Sequence, residues 1–131
     1  MKTMNFGEHL TLDGYGGSSE ALGSRERVLR TLEELVSRLE MKKLSEPMIV
    51  EATGNTPKDS GGWSGFVIIE ESHISIHTFP HRQFVSADIY TCKNGMDTDV
   101  ATEYLRDAFS LKDVETHFIR RGTQYPADDI V

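Results

Sequence analysis

The sequence predicts an α+β fold, a two-layer sandwich in which a mostly antiparallel sheet carries two helices on one face. Three observations support it: several segments alternate β-branched or aromatic residues with polar ones, two stretches have helical spacing, and the connections between strands are short. A sheet with helices on one side leaves its other face open. We expect a second copy to cover that face, so that two sheets stack in a homodimer.

The amino-terminal half is predicted to contain a strand, a helix and a second strand. Leu10 and Leu12 alternate with polar residues, and a glycine-rich run at 14–17 ends this strand. Residues 18–23 are expected to form a polar loop. Ser24 is a favourable N-cap, and the helix after it has apolar residues at helical spacing: Val28, Leu29, Leu32, Leu35, Val36 and Leu39. A short strand at 48–52 follows Pro47.

The carboxyl-terminal half is predicted to be mainly strands. A glycine-rich loop, 54–62, leads into two strands that meet at Glu71–Ser72, and a turn at 80–83 leads into a strand ending at Cys92. Asp97 or Thr98 can cap a second helix that runs to about Phe109, with this inner face: Val100, Ala101, Tyr104, Leu105 and Ala108. A last strand follows near 114–120, and the tail 122–131 is expected to be loose.

Composition narrows the class of protein. A chain of 131 residues is the size of one domain, 1–131, with 37% hydrophobic and 27% charged residues. The net charge of −7 argues against binding to nucleic-acid phosphates. No apolar run approaches the length of a membrane span, so we expect a cytoplasmic protein without a membrane partner. One cysteine, Cys92, cannot form an internal disulfide.

The histidines do not predict a metal site. His73, His77 and His81 are spaced by four, which on a helix would place them on one face. The residues between them favour strand and turn, so the three spread over roughly 25 Å. One zinc ion cannot bridge that distance, and adding His9 does not change the expectation.

Two other groupings could carry chemistry. Cys92 with His77 could be a thiol nucleophile and its base, although Cys92 could equally be a small apolar filler. Alternatively, the hydroxyl of Ser72 could attack the preceding carbonyl, so that an N-to-O shift and β-elimination break the Glu71–Ser72 bond. Such a reaction needs a base and oxyanion donors, for which Ser64 and His77 are candidates. From the residues alone, a serine in a strand is ordinarily unreactive, and its peptide bond stays intact.

These segments resemble the prokaryotic S-adenosylmethionine decarboxylases, the pyruvoyl-dependent enzymes of polyamine and spermidine biosynthesis. The likeness covers most of the chain from Gly7 to about Arg121 and is densest between Ser64 and Cys92. The segments that carry it are Gly7-Glu8-His9-Leu10, Ser64-Gly65-Phe66-Val67-Ile68-Ile69, Glu71-Ser72-His73-Ile74-Ser75-Ile76-His77-Thr78-Phe79-Pro80 and Asp88-Ile89-Tyr90-Thr91-Cys92.

The resemblance implies a self-processing zymogen. Cleavage between Glu71 and Ser72 would give a β chain, 1–71, and an α chain, 72–131, with Ser72 converted into the pyruvoyl group. Ser64 and His77 match the family's processing residues, and Cys92 matches the acid that returns a proton to the decarboxylated carbon. The implied enzyme is a dimer of αβ protomers that forms a Schiff base with its small-molecule substrate and needs no external cofactor.

The substrate positions depart from the family pattern. His81 stands where the family carries a glutamate for the ribose hydroxyls, and Lys58 stands where it carries a phenylalanine for adenine. Trp63 could stack in its place, or it could be a core or interface aromatic. S-adenosylmethionine is the family's substrate, and L-arginine or L-ornithine is the alternative. A basic substrate could pair with an acid, for which the candidates are Asp13, Asp59 and Glu70. A third alternative is an uncleaved regulatory homologue.

Overall fold

The computed structural model describes residues 2–70 and 72–128. Its strands are β1 (Thr3–Met4), β2 (Gly7–Tyr15), β3 (Met48–Thr53), β4 (Gly61–Ile69), β5 (Ser72–Phe79), β6 (Phe84–Thr91), β7 (Asp113–Arg121) and β8 (Tyr125–Pro126). The helices are α1 (Ser19–Leu22), α2 (Arg25–Arg38) and α3 (Thr98–Phe109), and a 3-10 turn spans Pro80–Arg82.

Six strands form one antiparallel sheet in the order β3-β4-β5-β6-β2-β7. The central four strands alternate buried and partly exposed residues, because successive side chains point to opposite faces. Buried aliphatic residues of these strands pack with the helices into one core. The predicted α+β class with a mostly antiparallel sheet is therefore confirmed.

Helix α2 packs closely on β4. Its N-cap Ser24 accepts a hydrogen bond from the amide of Arg27, and its apolar residues Val28 and Leu32 are fully buried. A Cβ atom at Gly65 would lie 2.9 Å from the Val28 side chain and 3.0 Å from that of Leu32. Glycine at this position therefore permits the close contact between helix and sheet.

Two local predictions were wrong. Residues 18–23 contain helix α1 rather than only a polar loop, since Ser18 caps it and Ala21 and Leu22 are buried in the core. The tail is also not entirely loose, because β8 pairs with β1 in a separate two-stranded sheet. Both elements are too short to show a periodic pattern.

Two predicted boundaries also shifted. The glycine-rich loop gives way to strand at Gly61 and Gly62, which have φ angles of 84° and 153°. Val100, predicted on the inner face of α3, is 37% exposed, whereas Ala101, Leu105 and Ala108 are buried. Tyr104 packs against the core as well, so the predicted inner face of α3 is correct except for Val100.

The face of the sheet away from the helices, called here the open face, is uncovered in a single chain. It carries exposed apolar side chains on β3 and β4: Met48, Val50, Phe66 and Ile68. Within 2–70 and 72–128, no helix is long and apolar enough to cross a membrane.

Candidate active site

The predicted cleavage point lies at the β4–β5 hairpin. Ile69 pairs with Ser72, so only Glu70 and Glu71 connect the two strands. Ser72 is the first residue of β5 and is partly buried. Glu71, the other residue of the predicted bond, lies outside the described residues.

Ser64 and His77 form a hydrogen-bonded pair across β4 and β5. They are direct partners in the strand register, and Ser64 Oγ lies 3.0 Å from His77 Nδ1. Both side chains are on the open face, where His77 is exposed. An imidazole held by a hydroxyl at one nitrogen keeps its other nitrogen available for proton transfer.

Cys92 lies beside the hairpin. The β5–β6 register pairs His73 with Tyr90, and Ser72 and Cys92 follow one and two residues beyond that pair. The half-buried Cys92 also lines a cavity of about 210 Å³, together with Ile69 and Glu70 of the hairpin. The structure therefore brings Cys92 to the end of the sheet where the predicted bond lies.

The Ser64–His77 pair lies at a distance from this end. His77 is five residues beyond Ser72 on the same strand, which at about 3.3 Å per residue is roughly 16 Å. The four predicted residues therefore form two groups within one chain, Ser72 with Cys92 and Ser64 with His77.

A polar network occupies the open face between these groups. His9 Nε2 lies 2.6 Å and His73 Nε2 lies 3.2 Å from Asp88 Oδ2, and Ser75 donates to the other carboxylate oxygen. Burial raises the pKa of Asp88, but the hydrogen bonds from Ser75, His9 and His73 lower it, so the net pKa is below its ordinary value.

The contacts of His9 select one tautomer of its ring. Arg121 Nη1 lies 2.8 Å from His9 Nδ1, and an arginine can only donate, so Nδ1 accepts and Nε2 carries the proton that Asp88 accepts. The ligand atoms of His9, His73 and Asp88 lie within 4.8 Å of one another, as a metal site would require. Arg121 opposes that use. A metal bound at His9 Nε2 would require the ring proton to sit on Nδ1, where two N–H donors, that of His9 and that of the Arg121 guanidinium, would face each other.

Comparison with known proteins identifies the family. A family model described as S-adenosylmethionine decarboxylase matches residues 8–122. The chain belongs to this family. Among curated proteins, the S-adenosylmethionine decarboxylase proenzyme of Clostridium botulinum (strain Langeland) is 33% identical over 116 residues, which are 88% of this chain and 94% of the relative. The proenzyme of Thermococcus onnurineus is 32% identical over 124 residues, covering 95% and 82% of the two chains.

A solved structure of the S-adenosylmethionine decarboxylase family has the same fold. The crystal structure of the adenosylmethionine decarboxylase from Aquifex aeolicus matches with a TM-score of 0.78 and 25% sequence identity. The match covers 96% of this chain and 98% of that chain. The likeness therefore extends over the whole sheet and its helices.

Trp63 and His81, the candidate substrate residues, lie away from the open face. Trp63 packs against the core, and its indole N–H donates to the carbonyl of Gly23 at 2.9 Å. His81 is exposed in the 3-10 turn, and both residues line a shallow cavity with Gly23. Trp63 and Ser64 are consecutive on β4, so their side chains point to opposite faces.

Sequence reasoning did not single out an aromatic pocket on the open face. Phe79 and Phe84 form its floor, with ring centroids 5.7 Å apart, and the cavity measures about 410 Å³. Lys58, Asp59 and Arg82 complete its lining. Phe79 lies two residues from His77 on β5, so a period-two reading would have placed the two side chains on the same face.

Proposed function

We propose that this chain is a proenzyme that cleaves itself between Glu71 and Ser72 and then decarboxylates S-adenosylmethionine for polyamine and spermidine biosynthesis. The products of cleavage would be the β chain 1–71 and the α chain 72–131, which together keep the single domain. The observation that carries the proposal is the position of Cys92, in one cavity with the hairpin that ends at Ser72.

The residues present fit a pyruvoyl group at position 72. A hydroxyl residue follows the proposed break, at the start of a strand and at the end of a two-residue connection. The adjoining cavity of about 210 Å³ leaves room for a reacting group beside Cys92. Once formed, the pyruvoyl ketone would capture the substrate's amine and accept the electrons released with CO2.

The chain's own residues have distinct roles in this scheme. In processing, the Ser72 hydroxyl attacks the carbonyl of residue 71, and Ser64 assists at the developing ester. His77 then removes the Cα proton of Ser72, so that the carboxylate of residue 71 leaves and position 72 becomes dehydroalanine. Hydrolysis of that residue releases its nitrogen as ammonia and leaves the ketone. In turnover, the Cys92 thiol returns a proton to the carbon that has lost CO2. The arrangement needs no metal ion.

A second copy of the chain is needed to complete this site. The Ser64–His77 pair is roughly 16 Å from Ser72 of its own chain, and a paired strand cannot shorten that distance. Both side chains lie on the open face, beside exposed Phe66 and Val50. Stacking two open faces in opposite directions would bring the pair of each copy to Ser72 of the other. We therefore propose a homodimer of αβ protomers with composite sites.

The aromatic pocket supports S-adenosylmethionine over a basic amino acid. Phe79 and Phe84 offer flat apolar surfaces on which an adenine ring can stack. Two cations, Lys58 and Arg82, outnumber the single anion, Asp59, around the pocket. A guanidinium or ammonium group would therefore be disfavoured there, whereas a neutral base would not.

Processing and substrate can be tested in one set of experiments. The purified protein should run as two fragments on a denaturing gel, Ser72→Ala should remain one chain without activity, and Ser37→Ala, an exposed serine on α2, should be cleaved normally. S-adenosylmethionine, L-arginine and L-ornithine are then offered in parallel while CO2 release is measured. Cleavage of Ser72→Ala would contradict the assignment, and an uncut wild-type chain would favour a regulatory homologue.

A further inference from the structure

Glu8 is a buried carboxylate that the proposed chemistry does not use. It is the second residue of β2 and is only 8% exposed. Its neighbours on the helix side of the same strand are Leu10 and Leu12. An ionised group in such surroundings is costly unless hydrogen bonds satisfy it.

The hydrogen bonds of Glu8 come from the connection between β6 and α3. One carboxylate oxygen, Oε1, accepts from the amide of Met96 at 2.8 Å and from that of Gly95 at 3.1 Å. These residues are 88 and 87 positions away in sequence. Because one carboxylate oxygen accepts both backbone amides, Glu8 anchors this connection to β2.

The anchored connection begins at Cys92. The Lys93 amide donates to Thr91 Oγ1 at 3.0 Å, which turns the chain immediately after the cysteine. Next to Glu8, a Cβ at Gly7 would lie 2.1 Å from the Thr91 carbonyl oxygen and 2.9 Å from Cys92 Cα. The start of β2 thus touches the backbone at Cys92 through Gly7 and holds the following turn through Glu8.

We propose that Glu8 is a positioning residue for the proton donor Cys92. By fixing residues 93–96 against β2, it sets the direction in which the thiol faces the hairpin at Ser72. This inference rests on the proposed function, because it concerns the step that Cys92 carries out there. Glu8 itself does not touch the reacting atoms.

The test compares three variants that separate positioning from general stability. Glu8→Gln keeps an oxygen that can accept both amide hydrogen bonds, whereas Glu8→Ala removes it. Thr31→Val is the control, because it removes another buried side-chain hydrogen bond, from Thr31 Oγ1 to the Arg27 carbonyl on α2. Each is also made in the Ser72→Ala background, where hydrogen exchange of the Gly95 and Met96 amides and alkylation of Cys92 are measured without any catalysis.

Glu8→Ala should be cleaved but should lose on the order of a hundredfold in kcat at nearly unchanged KM, because a small misplacement of a reacting group has that effect. Glu8→Gln should stay within about fivefold of wild type. A second readout is the amino terminus of the α chain. If the proton instead reaches the former ketone carbon of residue 72, hydrolysis leaves the amine nitrogen there as alanine and releases the decarboxylated substrate as an aldehyde. The enzyme then has no ketone and turnover ends. Glu8→Ala should accumulate this product faster than Thr31→Val.

The background measurements decide the proposal even when Glu8→Ala is not cleaved. Faster amide exchange at Gly95 and Met96 and altered alkylation of Cys92 in Glu8→Ala, but not in Thr31→Val, would support it. The proposal would be overturned if amide exchange and Cys92 alkylation in Glu8→Ala were the same as in the Ser72→Ala parent, or if the cleaved Glu8→Ala enzyme had an unchanged kcat. An uncut wild-type chain would instead overturn the proposed function, and the role of Glu8 with it.

Discussion

Asp88 joins residues from three strands and makes stability depend on pH. Its pKa is lowered in the folded protein, so the unfolded chain binds this proton more readily. The contribution to stability is therefore present above the ordinary carboxyl pKa of about 3.9 and is lost as pH falls through the lower folded value.

Asp88→Asn should remove this dependence. We expect its free energy of unfolding, measured in urea, to fall less than that of wild type as pH is lowered from about 5 through the acid range. Glu46→Gln is the matched control, because Glu46 lies in an exposed pair with Lys43. Parallel pH curves for Asp88→Asn and wild type would show that the network does not hold the carboxylate.

His77 and Ser64 should differ in how strongly they affect processing. His77→Ala removes the proposed base and should slow cleavage by about 10² to 10⁴-fold. Ser64→Ala removes only the hydroxyl 3.0 Å from Nδ1 and should slow it less. A time course of fragment formation on denaturing gels measures both rates. Equal cleavage rates for the two variants, or rates unchanged from wild type, would argue against these two roles.

At the scale of elements, α2 is the main cover of β4 and β5. Leu32 is fully buried against Gly65, so Leu32→Ala should cost about 2–5 kcal/mol of unfolding free energy. Leu44→Ala is the control, since Leu44 is 58% exposed and its loss should cost at most about 0.5 kcal/mol. Urea unfolding of both variants checks this contrast. Similar losses would mean that α2 does not anchor the core.

Elements could be predicted where the sequence repeats a period. The alternation at Leu10 and Leu12 and the helical spacing of α2 each identified the element and its buried face. The network at Asp88 could not be found in this way, because it depends on how β2 pairs with β6. Residues 16–83 lie between the two strands, and their sequence does not set that register. Glu8 offered one local signal, a charged residue at an inward position of a strand.

The candidate site was predicted residue by residue but not as an arrangement. Family motifs selected Ser64, Ser72, His77 and Cys92, and strand periodicity placed His77 five residues along β5 from Ser72. The consequence of that spacing is two separate groups in one chain, and it follows only once β5 is known to be paired along its length with β4 and β6.

At the scale of the whole molecule, the open face should form the interface of a symmetric dimer. If the Ser64–His77 pair of each copy reaches Ser72 of the other, the symmetry axis passes near the middle of β5, beside Ser75 and Asp88. The Asp88 networks of the two copies would then face each other at the centre of the interface.

Complementation tests the composite site. Alone, the Ser72→Ala chain should stay uncut and the His77→Ala chain should be cut slowly. Co-expression of the two should restore cleavage, because one site of the mixed dimer combines Ser72 of one copy with His77 of the other. Only the His77→Ala chain should be cleaved, which mass differences between tagged chains would show. Failure to restore cleavage in a dimer shown to be mixed would contradict the arrangement.

The central claim is that the bond before Ser72 breaks and leaves a ketone. Intact mass of the denatured protein, before and after borohydride reduction, tests it most directly. The account predicts two chains, of which only the chain beginning at position 72 gains the mass of two hydrogen atoms on reduction. When substrate is added together with borohydride, that same chain should instead become covalently linked to the substrate. A single chain of full length, or two chains whose masses borohydride leaves unchanged, would contradict it.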